Sequence, residues 1–267
     1  MNAPTRPVLR WHGGKWKLAP WIISHFPRHR IYVEPFGGAA SVLLRKEPSF
    51  SEIYNDLDGD VVNLFRVLRD SQTSSRLIEL LRLTPFARDE FDSSYDPAVD
   101  PVEAARRMIV RSYMGFGSDS ATSTNTGFRA QSPGSGRSPE KDWRNYPAAL
   151  AVAIDRLAGI VVERRPAAAI MSRHDGDEAL HYIDPPYVPD TRSQKVNGAG
   201  KQHSYRHELS VDDHAALLEL LVGLKGMVVL SGYPSPLYDA ALGTWRRIER
   251  RALADGARPR TEVLWIN

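Results

Sequence analysis

The chain has 267 residues, 42% of them hydrophobic, enough for one large domain or a core domain with a smaller insertion, and a net charge of only +3. Cysteine is absent, which excludes disulfides, a thiolate nucleophile and any cysteine-built zinc site; no metal site is expected. No apolar run approaches the roughly 18 residues of a membrane span, and Met1 to Arg10 is too rich in Pro and Arg for a secretory leader, so a cytoplasmic protein with no membrane partner is expected.

In chain order, the first signal is Arg10-Trp11-His12-Gly13-Gly14-Lys15, which puts an aromatic face, small residues and an ammonium just ahead of a helix expected over Lys15–Phe26. It lacks the longer Gly-x-x-x-x-Gly-Lys-Ser/Thr frame of a phosphate loop, and alone it fits a ligand loop or a plain connection. Ile31–Glu34 reads as a strand running into Pro35-Phe36-Gly37-Gly38-Ala39-Ala40-Ser41, with a helix expected over Ala39–Lys46. Small residues let backbone approach a ligand closely there, although such turns are also common where nothing binds. After the strand Ile53–Asn55, Asp56 lies about twenty residues past the turn, where an acid accepts from ribose hydroxyls or simply opens a helix. A helix over Asp58–Arg69 follows, with Asp58 as its cap.

From about Ser71 to Tyr146 helical segments give way to Gly115–Pro139, rich in Gly, Ser, Thr, Asn and Pro and read as a functional loop that a partner orders. Arg107, Arg111 and Arg129 interleave here with Tyr113, Phe116 and Phe128, a pattern that suits phosphate contacts and base stacking as well as a solvated face. The alternation then resumes. A helix over Asn145–Ala158, strands Ile160–Glu163 and Leu180–Asp184, a polar loop Thr191–His203, a helix Val211–Leu224 capped by Ser210, and strands Met227–Ser231, Trp245–Glu249 and Glu262–Ile266 give an α/β chain.

Asp184-Pro185-Pro186-Tyr187 is the sharpest local signal, because ligands of open α/β sheets sit beyond the carboxyl ends of strands. Successive prolines have no backbone donors, stiffen the turn and leave carbonyls facing outward. A carboxylate, a carbonyl and a flat ring together suit an exocyclic aromatic amine, whose delocalised lone pair needs acceptors for its hydrogens; a diproline turn with a capping Asp and a packed Tyr has the same sequence.

Taken together and in this order, Trp11-His12-Gly13-Gly14-Lys15, Glu34-Pro35-Phe36-Gly37-Gly38-Ala39-Ala40, Asp56 and Asp184-Pro185-Pro186-Tyr187 resemble the DNA adenine methyltransferases of the Dam type, the D12 or alpha class. The resemblance implies a Rossmann-like S-adenosylmethionine-dependent methyltransferase sheet flanked by helices, formed by residues 1–70 and 147–267, with a target-recognition insertion at 71–146. It implies that Trp11, Lys15, Phe36, Gly37, Asp56 and Asp184 contact S-adenosylmethionine, and that Asp184, Pro185, Pro186 and Tyr187 hold a flipped adenine. Double-stranded DNA is the implied partner, contacted by Arg107, Arg111, Tyr113, Met114, Phe116 and Arg129, with Tyr113, Met114 and Phe116 bracing the gap that the base leaves. Arg111 to Gly117 is similar to the family's Arg-x-Tyr-x-Gly recognition segment, but the residues after it differ from those of GATC-specific members. Ala40 also departs from the usual Phe-x-Gly-x-Gly turn. A cognate restriction enzyme and a phage or prophage origin are compatible with the resemblance, and no obligate protein partner is implied. Cytosine-N4 transfer and a catalytically silent DNA-binding protein on the same fold are the alternatives.

Overall fold

The computed structural model describes residues 3–117, 121, 126–130, 138–191, 206–254 and 258–267. In order, their elements are α1 Ala19–Ile23, β1 Ile31–Glu34, β2 Ser51–Asn55, α2 Gly59–Arg69, α3 Ser71–Leu83, α4 Arg88–Ser93, α5 Pro101–Met114, α6 Pro139–Arg144, α7 Tyr146–Leu157, β3 Val161–Glu163, α8 Ala167–Arg173, β4 Ala179–Ile183, α9 Val211–Gly223, β5 Met227–Gly232, α10 Pro236–Ala241, β6 Arg246–Ala254 and β7 Arg258–Ile266. The expected loop at Thr191–His203 lies outside the described residues apart from Thr191, as does much of Gly115–Pro139. No described helix is long and apolar enough to cross a membrane.

Two compact units divide the chain. The first comprises residues 1–16 and 59–158, and the second residues 17–58 and 159–267. The first therefore takes in more chain than residues 71–146, because α2 and α7 pack on α3 and α5. Its central helix, α5, opens with Asp100 accepting from the Val102 amide and with Pro101 in the first turn, where a missing N–H costs nothing. Val102, Ala105, Met108, Ile109, Ser112 and Tyr113 recur at helical spacing and are buried. Polar groups fasten the N-terminal segment along this helix. Tyr113 donates to the Pro7 carbonyl (2.6 Å), Tyr146 to that of Val8 (2.7 Å), and the Arg10 amide donates to Ser112 (2.7 Å).

In the second unit seven described strands form one sheet in the order β3-β2-β1-β4-β5-β7-β6. The five strands from β3 to β5 are parallel, and β7 pairs antiparallel with both β5 and β6. Every residue of β4 is buried, as a central parallel strand covered on both faces requires. One core cluster joins Ile183, Leu230 and Trp265 of the sheet to Leu217, Leu218 and Leu221 of α9 and Tyr238 of α10. α9 starts at a capping box in which Ser210 accepts from the Asp213 amide (3.1 Å) and Asp213 accepts from that of Ser210 (2.9 Å). Successive strands run outward one way from β1 through β2 to β3 and the other way from β4 to β5. The switch point thus lies between β1 and β4.

Two expected helices are corrected. Lys15–Phe26 is helical only over Ala19–Ile23, and Ala39–Lys46 folds as successive turns. In the second case Ala40 takes a left-handed φ of 52° and the Leu43 amide donates to the Glu34 carboxyl (3.1 Å), while the Leu44 and Lys46 amides donate to the Ala40 and Val42 carbonyls (3.0 Å each).

Candidate active site

At the switch point β1 ends in Glu34 and its turn, and β4 ends in Asp184-Pro185-Pro186-Tyr187. The turn is held from β2. Gly37 donates to the Asn55 backbone carbonyl (2.8 Å), the Asn55 side-chain Nδ2 donates to the Pro35 carbonyl (2.9 Å), and Tyr54 donates to that of Gly38 (2.7 Å). A Cβ on Gly37 would fall 2.1 Å from the Tyr54 ring, so only glycine lets turn and ring meet. Phe36 is half-buried against the core cluster that contains Ile183 and Val188.

Glu34 is buried and accepts from Tyr32 (2.7 Å) as well as Leu43. Burial raises its carboxyl to about 8, partly offset by the Tyr32 hydrogen bond and reinforced by the nearby Asp184 charge. At neutral pH it therefore carries a proton. Next to the turn, Asp56 accepts from the Gly38 amide (2.7 Å) and the Asp58 amide (2.8 Å), one on each oxygen. Burial raises its carboxyl while both amides oppose the shift. Arg206 donates to Asp58 (2.8 Å), bringing the segment before α9 to the end of β2.

Asp184 is half-buried and accepts from Ser231 of β5 (2.8 Å), whose hydroxyl lies 3.2 Å from that of Tyr182. Tyr187 donates to Glu262 of β7 (2.8 Å) and meets Tyr233 edge to face at 4.6 Å between centroids. Burial and the Glu262 charge hold its phenol well above the usual range. The ring is only 7% exposed, so in this conformation it offers little open face for stacking. Ser231 and Glu262 were not singled out by sequence reasoning.

In the first unit, Gly14 donates back to the Trp11 carbonyl (3.1 Å), and the buried Lys15 ammonium donates to the Gly13 carbonyl (2.8 Å), folding Trp11–Lys15 into a turn. The recognition candidates separate by burial. Tyr113 and Met114 are core residues, 4% and 0% exposed, and Tyr113 packs on Tyr146 at 4.4 Å. Arg111 is buried too, donating to the Ser94 carbonyl and lying over Tyr95. The buried stripe of α5 runs through all three in this conformation. Arg107 pairs with Glu103 (2.7 Å), and Arg129 lies 3.7 Å from Asp142. Phe116 differs: it is 69% exposed, just past α5, where Gly115 bridges antiparallel to Phe128 and the Phe116 amide donates to the Gly127 carbonyl (2.9 Å).

An open sheet with this switch point, an acidic turn after β1 and an Asp-Pro-Pro-Tyr turn after β4 defines a Rossmann-like methyltransferase fold. Residues 11–219 match the family described as D12 class N6 adenine-specific DNA methyltransferase, and the chain belongs to it. It is similar to the DNA adenine methylase of Escherichia coli strain K12, 33% identical over 102 residues, which is 34% of this chain and 36% of that protein. The same-named proteins of Serratia marcescens (33% over 84 residues, 32% of this chain and 27% of that one) and Vibrio cholerae (38% over 65 residues, 24% and 23%) are also similar. The matched stretch thus spans about a third or less of the length of these relatives.

Proposed function

We propose that the chain is a site-specific methyltransferase acting on N6 of an adenine in double-stranded DNA, with S-adenosylmethionine as donor. The observation that carries this reading is the convergence of the Glu34–Gly38 turn and Asp184–Tyr187 on one switch point, at the ends of neighbouring parallel strands. The donor set fits S-adenosylmethionine. Asp56 stands one strand from the turn, and each of its oxygens keeps acceptor capacity beyond the amide it holds, which suits ribose hydroxyls. Phe36 and Gly37 form the wall of the turn. For Trp11 and Lys15 as cofactor contacts, the support is their motif.

When bound, the donor supplies an electrophilic sulfonium methyl. Asp184 and the Pro185 carbonyl accept the hydrogens of the adenine amine and stabilise positive charge growing on its nitrogen, while Ser231 orients the Asp184 carboxylate. Pro186 stiffens the turn, and Tyr187, anchored by Glu262, walls the base pocket. A stacked base hides its amine, so the target is flipped out at a cost of a few kcal/mol. The exposed ring of Phe116 suits filling the vacated space, and Arg107 and Arg129 suit phosphate contacts.

The test is transfer of a labelled methyl group from S-adenosylmethionine to unmethylated duplex DNA, followed by digestion to nucleosides. Label in N6-methyldeoxyadenosine supports the reading. Label in N4-methyldeoxycytidine, or none, refutes it.

A further inference from the structure

The β6–β7 hairpin is rich in arginine. Residues 246–262 hold Arg246, Arg247, Arg250, Arg251, Arg258 and Arg260 against Glu249, Asp255 and Glu262. Its register says where that charge lies. β7 leaves β5 with Val263 opposite Gly232, the last residue of β5. The pairs Arg250–Glu262, Arg251–Thr261 and Ala252–Arg260 therefore continue past the carboxyl ends of the parallel strands, the end at which Asp184 follows β4.

Directly opposed residues, and residues two apart, share a face of a ribbon. Arg250 and Arg260 thus lie on the same face as Glu262, whose carboxylate holds Tyr187 of the catalytic turn. As diagonal neighbours across the ribbon they stand about 7–8 Å apart at the backbone. Arg251 is on the opposite face.

Neither Arg250 nor Arg260 forms an ion pair among the described residues. Each guanidinium is instead backed by a ring, Arg250 over Trp21 at 5.6 Å and Arg260 over Tyr233 at 5.9 Å. A ring beside a guanidinium attracts its charge and leaves N–H groups for an oxyanion. By contrast, Arg247 at the far end of the hairpin is already engaged by Asp239 (2.9 Å) and Glu249 (2.5 Å).

We propose that Arg250 and Arg260 form a phosphate clamp on the catalytic face of the β6–β7 hairpin, gripping the DNA backbone beside the target base and separate from any contact made by residues 71–146. This rests on duplex DNA being the substrate. Such a clamp carries no sequence information; it fixes register and adds salt-sensitive affinity.

Binding of the full chain to a mixed-sequence DNA duplex, titrated across salt concentration, tests it. Each of Arg250→Gln and Arg260→Gln lowers the slope of log affinity against log salt by about 0.9, and the double variant by about twice that. Arg250→Lys with Arg260→Lys keeps the wild-type slope, which separates charge from folding, and Arg251→Gln, equal in charge but on the other face, also keeps it. A wild-type slope in the double Gln variant, or an equal fall in Arg251→Gln, overturns the clamp while leaving DNA binding intact. Failure of the wild-type chain to bind the duplex overturns the DNA reading and the clamp with it.

Discussion

Replacing Glu34 with Gln makes the chain's stability less dependent on pH. In the folded protein the buried Glu34 carboxyl titrates at about 8, against an ordinary 4.5. Between those values the folded state keeps a proton that the unfolded chain releases, so stability is fully present below about 4.5 and is lost as pH rises towards 8. At about 1.4 kcal/mol per unit, the whole window is worth about 5 kcal/mol. Gln has the shape of the protonated acid, and its oxygen can accept from both Tyr32 and Leu43. Urea denaturation of both proteins at a series of pH values reads the difference. The variant matches wild type near pH 4.5 and is more stable by about 4–5 kcal/mol above pH 8, the other titrating groups cancelling in the comparison. A stability difference that stays constant with pH refutes the argument that Glu34 is protonated at neutrality.

Gly37→Ala forces a methyl group into the Tyr54 ring, and thermal unfolding should report a loss of about 2–3 kcal/mol; an unchanged melting temperature contradicts the close approach. Ser231→Ala removes the hydroxyl that orients Asp184 and lowers kcat about tenfold with the donor KM unchanged, whereas a rise in KM alone would place Ser231 in binding. Tyr113→Ala costs about 3–5 kcal/mol of stability, while Phe116→Ala costs about 0.5 kcal/mol or less and weakens duplex binding several-fold. Melting curves and binding titrations on both variants check this, and equal effects on stability contradict the assignment of one ring to core and the other to surface.

The parallel strands were legible because central strands of such sheets are short apolar runs, and Leu180 to Ile183 is one. The two motifs were legible as well, since each directly follows its strand. What escaped the sequence depends on distant partners. Ser231 reaches Asp184 from 47 residues away and Glu262 reaches Tyr187 from 75, and no local pattern marks either. In the turn after β1, Ala40 takes a left-handed φ and Glu34 accepts from the Leu43 amide, features that helical periodicity does not mark. For the recognition residues a usable signal was present: the buried positions of α5 follow helical spacing through Ser112 and Tyr113, so Tyr113 belongs to the core stripe and Phe116, beyond the helix end, does not.

The most direct test of the central claim is sequencing-based mapping of methylated bases in DNA from a methylation-deficient bacterial host expressing this chain, beside the same host expressing Asp184→Ala. The account predicts N6-methyladenine in one fixed sequence context with the wild-type chain and none with the variant. Methylation that persists in the variant, or that falls on cytosine, would contradict it.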